Sequence, residues 1–193
     1  MWAPEFFENV LGGNSVTKQF GLAAFMAGEC FARMNLVDIL RQRLGRRKLV
    51  TYGGALATVS CLVATMTVYF SENTQIPIAT ISYLFFGIGC APLVPVAFSS
   101  SGHSSENTSA ALSTVAFCTD FGSVVGPLLI GAASYILHGL HEGMLFASCL
   151  IGLTVFVGLN LPSDPEQYKM VNVNDEVKAS KESVSSVSSI TEQ

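Results

Sequence analysis

Two acidic residues lie within otherwise apolar segments of the sequence, where a carboxyl group could take part in chemistry. Asp120 stands ten residues after Ala110, in an apolar segment that runs over residues 110–136. In a membrane-spanning helix that depth is near the bilayer midplane, where an aspartate costs about 2.5–3.5 kcal/mol. A carboxyl group held there can exchange a proton or bind a cationic substrate. The structural alternative, a protonated side chain hydrogen-bonded within a helix bundle, stays open.

Glu29 lies in a second apolar segment, residues 19–36, and Arg33 follows it at i+4. Side chains at this spacing share one helix face, so an intrahelical ion pair satisfies both charges while Arg33 extends toward the lipid headgroups. The functional alternatives are a direct substrate contact and a pair that gates the cytoplasmic side. Asp120, Glu29 and Arg33 are therefore the candidate residues for substrate or proton binding.

Positive charge is concentrated immediately after this second segment. Six of the ten Lys and Arg residues fall between Arg33 and Lys48, and four positions there have the spacing Arg43-x-Gly45-Arg46-Arg47. One interpretation is membrane orientation, because Lys and Arg mark the cytoplasmic side of short loops. The other is a gate, in which charge-assisted contacts between the loop and the helix ends hold one access state and break in the other.

The elements that must position these residues are membrane helices. Half of the 193 residues are hydrophobic, 12% are charged, and the mean hydropathy is +0.48. Residues 49–70, 76–98 and 143–161 contain no charged residue at all. A bilayer core of about 30 Å needs roughly 20 apolar residues of helix. With the two acid-containing segments, the sequence predicts an all-α, multi-pass membrane protein of five helices over residues 19–36, 49–70, 76–98, 110–136 and 143–161.

The basic cluster fixes the expected topology. If residues 33–48 face the cytoplasm, alternation places nine of the ten basic residues inside and Lys18 alone outside. The N-terminus is then outside and the C-terminus cytoplasmic. Residues 1–15 are expected to form an outer-surface segment, and the polar, serine-rich residues 162–193 a disordered cytoplasmic tail. The sequon at Asn107 falls on the cytoplasmic side, so a glycan on it in cells would show the opposite orientation.

Helix-breaking and small residues predict bent helices that pack closely. Gly122-x-x-x-Gly126 followed by Pro127 combines a small-residue packing face with a helix breaker. In the preceding segment Pro92 and Pro95, after Gly87 and Gly89, act in the same way. Non-helical backbone inside a membrane is tolerated only where protein or water satisfies it.

Other functional classes find no support in the sequence. The five cysteines all lie in apolar segments without metal-ligand spacing, and His138 and His141 flank a turn without further ligands. No catalytic, nucleotide-binding or nucleic-acid-binding motif is present, so we expect no enzyme, cofactor, metal or nucleic acid. The expected partners are the lipid bilayer and a small-molecule solute.

The basic segment resembles a known signature. Residues 38–50, "DILRQRLGRRKLV", are similar to the loop of the major facilitator superfamily in which an acid, an R-x-G and paired basic residues recur. On that match Arg43, Gly45, Arg46 and Arg47 carry over. The acid usually precedes the first Arg, where this chain has Gln42, and Asp38 lies four residues earlier. The stretches "FFGIGCAPLVPVAFSSSG" (85–102) and "GSVVGPLLIG" (122–131) resemble the tenth and eleventh helices.

The resemblance implies the C-terminal half of a secondary transporter, with the family's helices eight to twelve over residues 16–161. Residues 1–15 would then be the outer end of the seventh helix. The six helices before it would be missing, either because the chain is a truncated gene product or because it assembles with another half. We therefore expect a partial carrier of a small solute that is not competent alone. The alternatives are a non-transporting protein that binds or modulates a full-length partner, and a small homo-oligomeric pore.

Overall fold

The protein is helical wherever its structure is described. The structure is a computed structural model that describes residues 2–104 and 108–161, without the side chains of residues 38, 41, 42, 101–104 and 108. The predicted tail and the Asn107 sequon lie outside these residues. Short 3-10 turns cover Thr17–Gln19 and Thr67–Tyr69, and no strand occurs in the described ranges. The α-helices are α1 (Ala3–Asn9), α2 (Phe20–Asn35), α3 (Val37–Met66), α4 (Glu72–Cys90), α5 (Leu93–Ser104), α6 (Thr108–Ile136) and α7 (Leu140–Asn160).

Four segments of the described chain are long and apolar enough to cross a membrane. They are Arg43–Tyr69, Glu72–Ser100, Ser109–Ile136 and Leu140–Asn160. The second of these combines α4 and α5. The sequence predicts a fifth span over residues 19–36, where α2 has 16 residues and is about 24 Å long. Because this length is shorter than the hydrocarbon core of about 30 Å, α2 is too short to be counted with the four candidate spans.

Adjacent glycines place α3 against two helices at once. A Cβ atom on Gly53 would lie 2.8 Å from the carbonyl oxygen of Gly89 in α4. A Cβ atom on Gly54 would lie 2.7 Å from Thr154 Oγ1 in α7. Both distances are shorter than real Cβ contacts, so a side chain at Gly53 would strike the α4 backbone and one at Gly54 would force Thr154 to shift. Successive residues of a helix point about 100° apart, which lets α4 and α7 approach α3 on different sides.

The largest apolar cluster lies where α4 and α7 begin and α3 ends. Phe6 and Phe7 of α1 have no exposed surface, and they cluster there with Tyr83 of α4 and Met144 of α7. The sequence predicts an outer-surface segment over residues 1–15. In the structure its two phenylalanines are enclosed by the helices, and α1 closes this end of the bundle.

Among the four candidate spans, the one formed by α6 is the least enclosed. Every residue from Phe117 to Val124 is exposed, and no residue of the apolar window of this span is buried. Phe117 and Phe121 stack on each other, with ring centroids 6.0 Å apart, while both rings remain exposed. A contiguous apolar surface of this kind must meet lipid or another protein.

Candidate functional site

The acid predicted for proton or substrate binding lies on this open helix. Asp120 is exposed in the middle of α6, and its backbone carbonyl accepts a hydrogen bond of 2.7 Å from Ser123 Oγ. No ion pair in the described residues involves its carboxyl group. Asp120 is therefore a carboxylate at mid-helix that the other described helices leave uncovered.

The second candidate acid is paired within its own helix. Arg33 Nη2 donates to Glu29 Oε1, which is the i, i+4 pair that the spacing predicts. The Glu29 side chain is 21% exposed and the Arg33 side chain 45% exposed. No ion pair between described residues joins either of them to Asp120. The three candidate residues therefore occupy two separate places, one on α2 and one on α6.

The arginine motif lies on a break in α3. Gly45 is buried and has φ 74° and ψ 165°, so the helix is interrupted between a basic first part and the membrane span. Arg43 and Arg47 are exposed on either side of the break, and Arg46 is half-buried. The side chain of Asp38 lies outside the described residues. Gly45 of the motif is thus the residue at which the chain changes direction before the membrane span.

Replacing Gly45 with alanine should destabilise the fold by about 1–3 kcal/mol, because the observed φ and ψ belong to a region that only glycine populates readily. The midpoint of thermal unfolding in detergent, followed by circular dichroism, measures the effect. The matched control is Gly152→Ala in α7, where a Cβ atom would meet only an ordinary contact of 3.6 Å with Thr58. Equal midpoints for the two variants would contradict the need for glycine at the break.

The predicted hinge residues are placed differently in the two helices. The chain leaves the helix after Cys90 and enters α5 at Leu93, so Pro92 lies at the break and Pro95 in the first turn of α5. The helix α6 continues through Pro127 without a break. The Pro127 carbonyl accepts a hydrogen bond of 2.9 Å from Trp2 Nε1, which ties the N-terminal segment to α6.

The Gly122 and Gly126 positions are open in the structure. No described atom outside the local helix lies within 4 Å of a Cβ atom built on either residue. Their spacing predicts a helix packing face, and no described helix occupies it. This open face surrounds Asp120 and is part of the same uncovered surface of α6.

The glycines that bring α2 and α4 together are Gly28, which the sequence reasoning missed as a packing residue, and Gly87, for which it predicted no partner helix. Gly28 of α2 packs on the backbone at Leu84 of α4, and Gly87 of α4 packs on the backbone at Phe25 of α2. In each pair an added Cβ atom would overlap the opposite carbonyl oxygen. The presence of glycines inside apolar spans could have indicated close helix packing. Their partners are on other helices, however, and cannot be found from the spacing within one segment.

The chain matches a known protein family. The family model described as Major Facilitator Superfamily covers residues 1–189. No curated protein and no solved structure matches. The match extends over nearly the whole sequence, including α1 to α7 and the arginine motif at Gly45.

Proposed function

The chain belongs to the Major Facilitator Superfamily, and from that premise we propose that it forms the C-terminal half of a secondary transporter. It is a multi-pass membrane protein of the transporter type. In the proposal α2 to α7 correspond to the family's helices eight to twelve, with α4 and α5 together forming the tenth. The helix α2 is then a membrane span in addition to the four that are long enough by themselves. Packing of α2 along α4, together with the preceding turn Thr17–Gln19, supports its placement in the membrane.

The observation that carries the proposal is the exposed carboxyl group on α6. A charged side chain in a span is costly unless it faces a bundle interior or water. Asp120 is uncovered by its own bundle, and so are the residues on both sides of it. We therefore place Asp120 in a cavity between this helix set and another, where its carboxyl group binds a proton or a cationic group during alternating access.

The open surface of α6 also supports a requirement for additional helices. In transporters built from repeats, substrate and coupling-ion sites lie at the interface between the repeats. The described bundle provides one side of such an interface, and transport would need the other side from a further helical unit. The same surface would serve a non-transporting protein that binds a full-length carrier. Purification in mild detergent separates these cases: partner-bound protein without solute uptake supports the second function.

We place the basic segment on the cytoplasmic side, with the N-terminus outside. Arg43 and Arg47 are exposed at the break in α3, where they can contact the ends of neighbouring helices. In the proposal these contacts hold one access state and are released in the other. A glycan on Asn107 in cells would contradict this orientation.

Reconstitution tests the proposed function directly. The longest available form of the gene product is placed in liposomes and screened against sugars, organic anions and organic cations, with and without a pH gradient. We expect uptake of at least one class above that of protein-free liposomes, with stimulation by the gradient. Folded protein that accelerates uptake of no class would overturn the transporter proposal.

A further inference from the structure

An apolar groove lies where three membrane spans end on one side of the bundle. It has a volume of about 340 Å³, and its walls come from α3, α5 and α7. The span that contains α3 begins at Arg43, and the spans that contain α5 and α7 end at Ser100 and Asn160. The main apolar residues that line the groove are Val50, Leu93, Val96, Leu153, Val157 and Leu161.

The groove opens onto the surface that the bundle presents to lipid. Leu153 and Val157 line it, and yet they are 60% and 59% exposed. Both residues lie in the last two turns of α7, which ends at Asn160. At 1.5 Å per residue the groove therefore covers roughly the outermost 10 Å of the bilayer core. At that depth the groove faces the acyl chains of the adjacent leaflet.

Two exposed arginines stand at the end of the groove that is next to the basic segment. Arg47 precedes Val50 by three residues, so the two lie on one helix face. On the other side of the break in α3, Leu40 packs against the buried cluster that includes Val50. Arg43 follows Leu40 by three residues and is also exposed. The two parts of α3 thus bring Arg43 and Arg47 to the same end of the groove.

The charge at this end is of one sign. Residues 39–66, 93–104 and 143–161, which include all the lining residues, contain five Lys or Arg and no Asp or Glu. No ion pair within the described residues involves Arg43 or Arg47. An apolar groove with basic side chains at its end matches the two parts of an anionic lipid, an alkyl chain and a phosphate.

We propose that this groove binds one anionic phospholipid, with an acyl chain against its apolar walls and the phosphate on Arg43 and Arg47. An arginine donates two parallel hydrogen bonds to phosphate oxygens, which makes such contacts strong. The volume agrees, because an apolar cavity of about 150 Å³ holds benzene with its six carbons, so this groove has room for about a dozen carbons of a chain. The site is formed by one helix set and requires only insertion in a membrane, so it does not depend on the transport proposal.

Dioleoyl phosphatidylglycerol is the probe, and dioleoyl phosphatidylcholine is its counterpart with the same chains and no net charge. The full chain in detergent is titrated with an equal mixture of the two lipids, and native mass spectrometry identifies the lipids that each protein molecule retains. We expect one phosphatidylglycerol at saturation, with an affinity about tenfold higher than that for phosphatidylcholine. Equal retention of the two lipids would overturn the proposal, and so would a series of phosphatidylglycerol adducts without a preferred first one.

Arg47→Gln and Lys48→Gln form a matched pair that separates a site from general attraction to positive charge. The two residues are adjacent and exposed, and each substitution removes one charge. Lys48 precedes Tyr52 by one helical turn, and Tyr52 does not line the groove. We expect the dissociation constant for phosphatidylglycerol to rise about fivefold in Arg47→Gln and to stay unchanged in Lys48→Gln. Equal losses in the two variants would contradict a defined phosphate site.

A second pair of variants tests the position of the acyl chain. Ala97 of α5 lines the groove, whereas Ala132 of α6 does not, and both residues are exposed. Ala97→Phe should fill the groove and abolish the preferred binding of one phosphatidylglycerol, while Ala132→Phe should preserve it. Because neither alanine is buried, both variants should keep the unfolding midpoint of the original chain. Retention of the lipid by folded Ala97→Phe would contradict this location.

Discussion

Replacing Gly87 with alanine should separate α2 from α4 and lower the stability of the bundle by about 1–3 kcal/mol. A Cβ atom at this position would overlap the Phe25 carbonyl oxygen and lie 3.0 Å from the backbone nitrogen of Glu29. Those atoms belong to the backbone of α2, which is hydrogen-bonded within the helix and cannot move aside locally. The two helices must therefore shift apart as a whole. Leucine at the same position should prevent the contact altogether.

The midpoint of thermal unfolding in detergent provides the measurement, and Gly122→Ala provides the control. A Cβ atom on Gly122 meets nothing within 4 Å, and alanine favours a helix interior over glycine by about 1 kcal/mol. The same chemical change should therefore stabilise α6 and destabilise the α2–α4 contact. If Gly87→Ala unfolded at or above the temperature of Gly122→Ala, the close approach of α2 to α4 would be refuted.

Asp120→Asn should abolish the part of solute uptake that depends on a pH gradient. Asparagine has nearly the shape of aspartate but cannot exchange a proton, so the substitution removes coupling without changing the size of the side chain. Because Asp120 is exposed and its carboxyl group has no ion pair among the described residues, the unfolding midpoint should stay unchanged. Uptake into proteoliposomes, with and without the gradient, measures the effect.

Glu29→Gln is the matched control for this experiment. It neutralises the other acid in an apolar helix, but Glu29 is paired with Arg33, which gives it a structural role. We expect this variant to keep its gradient-stimulated uptake and to lose some thermal stability. Gradient-driven uptake that persists in Asp120→Asn would discard Asp120 as the coupling residue while leaving the transporter proposal intact.

Local features of the fold could be predicted from the sequence. Charge-free runs indicate membrane helices because a charged side chain is costly in lipid. The i, i+4 spacing of Glu29 and Arg33 indicates their ion pair, which the structure contains. The Gly45 of the arginine motif lies at a backbone conformation that favours glycine, although the sequence alone did not indicate a break at that residue.

Contacts between distant segments could not be predicted. Gly122 and Gly126 have the spacing of a packing face, yet no described helix lies against them. Gly87 and Gly89 are two residues apart, yet one contacts α2 and the other contacts α3. Glycine spacing shows that a close approach is possible, but the partner is decided by how all the helices fit together.

The same limit applies to α1 and to Tyr83. Phe6 and Phe7 suit a membrane interface by composition, but the structure encloses both of them. Tyr83 lies in a charge-free run and shows no periodicity that distinguishes it from neighbouring apolar residues. That its buried hydroxyl has no hydrogen-bond partner among the described residues becomes visible only when the surrounding helices are placed together.

The adjacent glycines of α3 have a consequence for biosynthesis. The ribosome completes α3 before either of the helices that cover it. The face at Gly53 is covered as soon as α4 follows, whereas the face at Gly54 waits for Thr154 near the end of the described chain. Until then the surface of α3 at Gly54 stays uncovered in the inserted nascent protein. A stalled or prematurely terminated chain would expose that surface to lipids or to the insertion machinery. Completion of α7 is thus the step that covers the second face of α3.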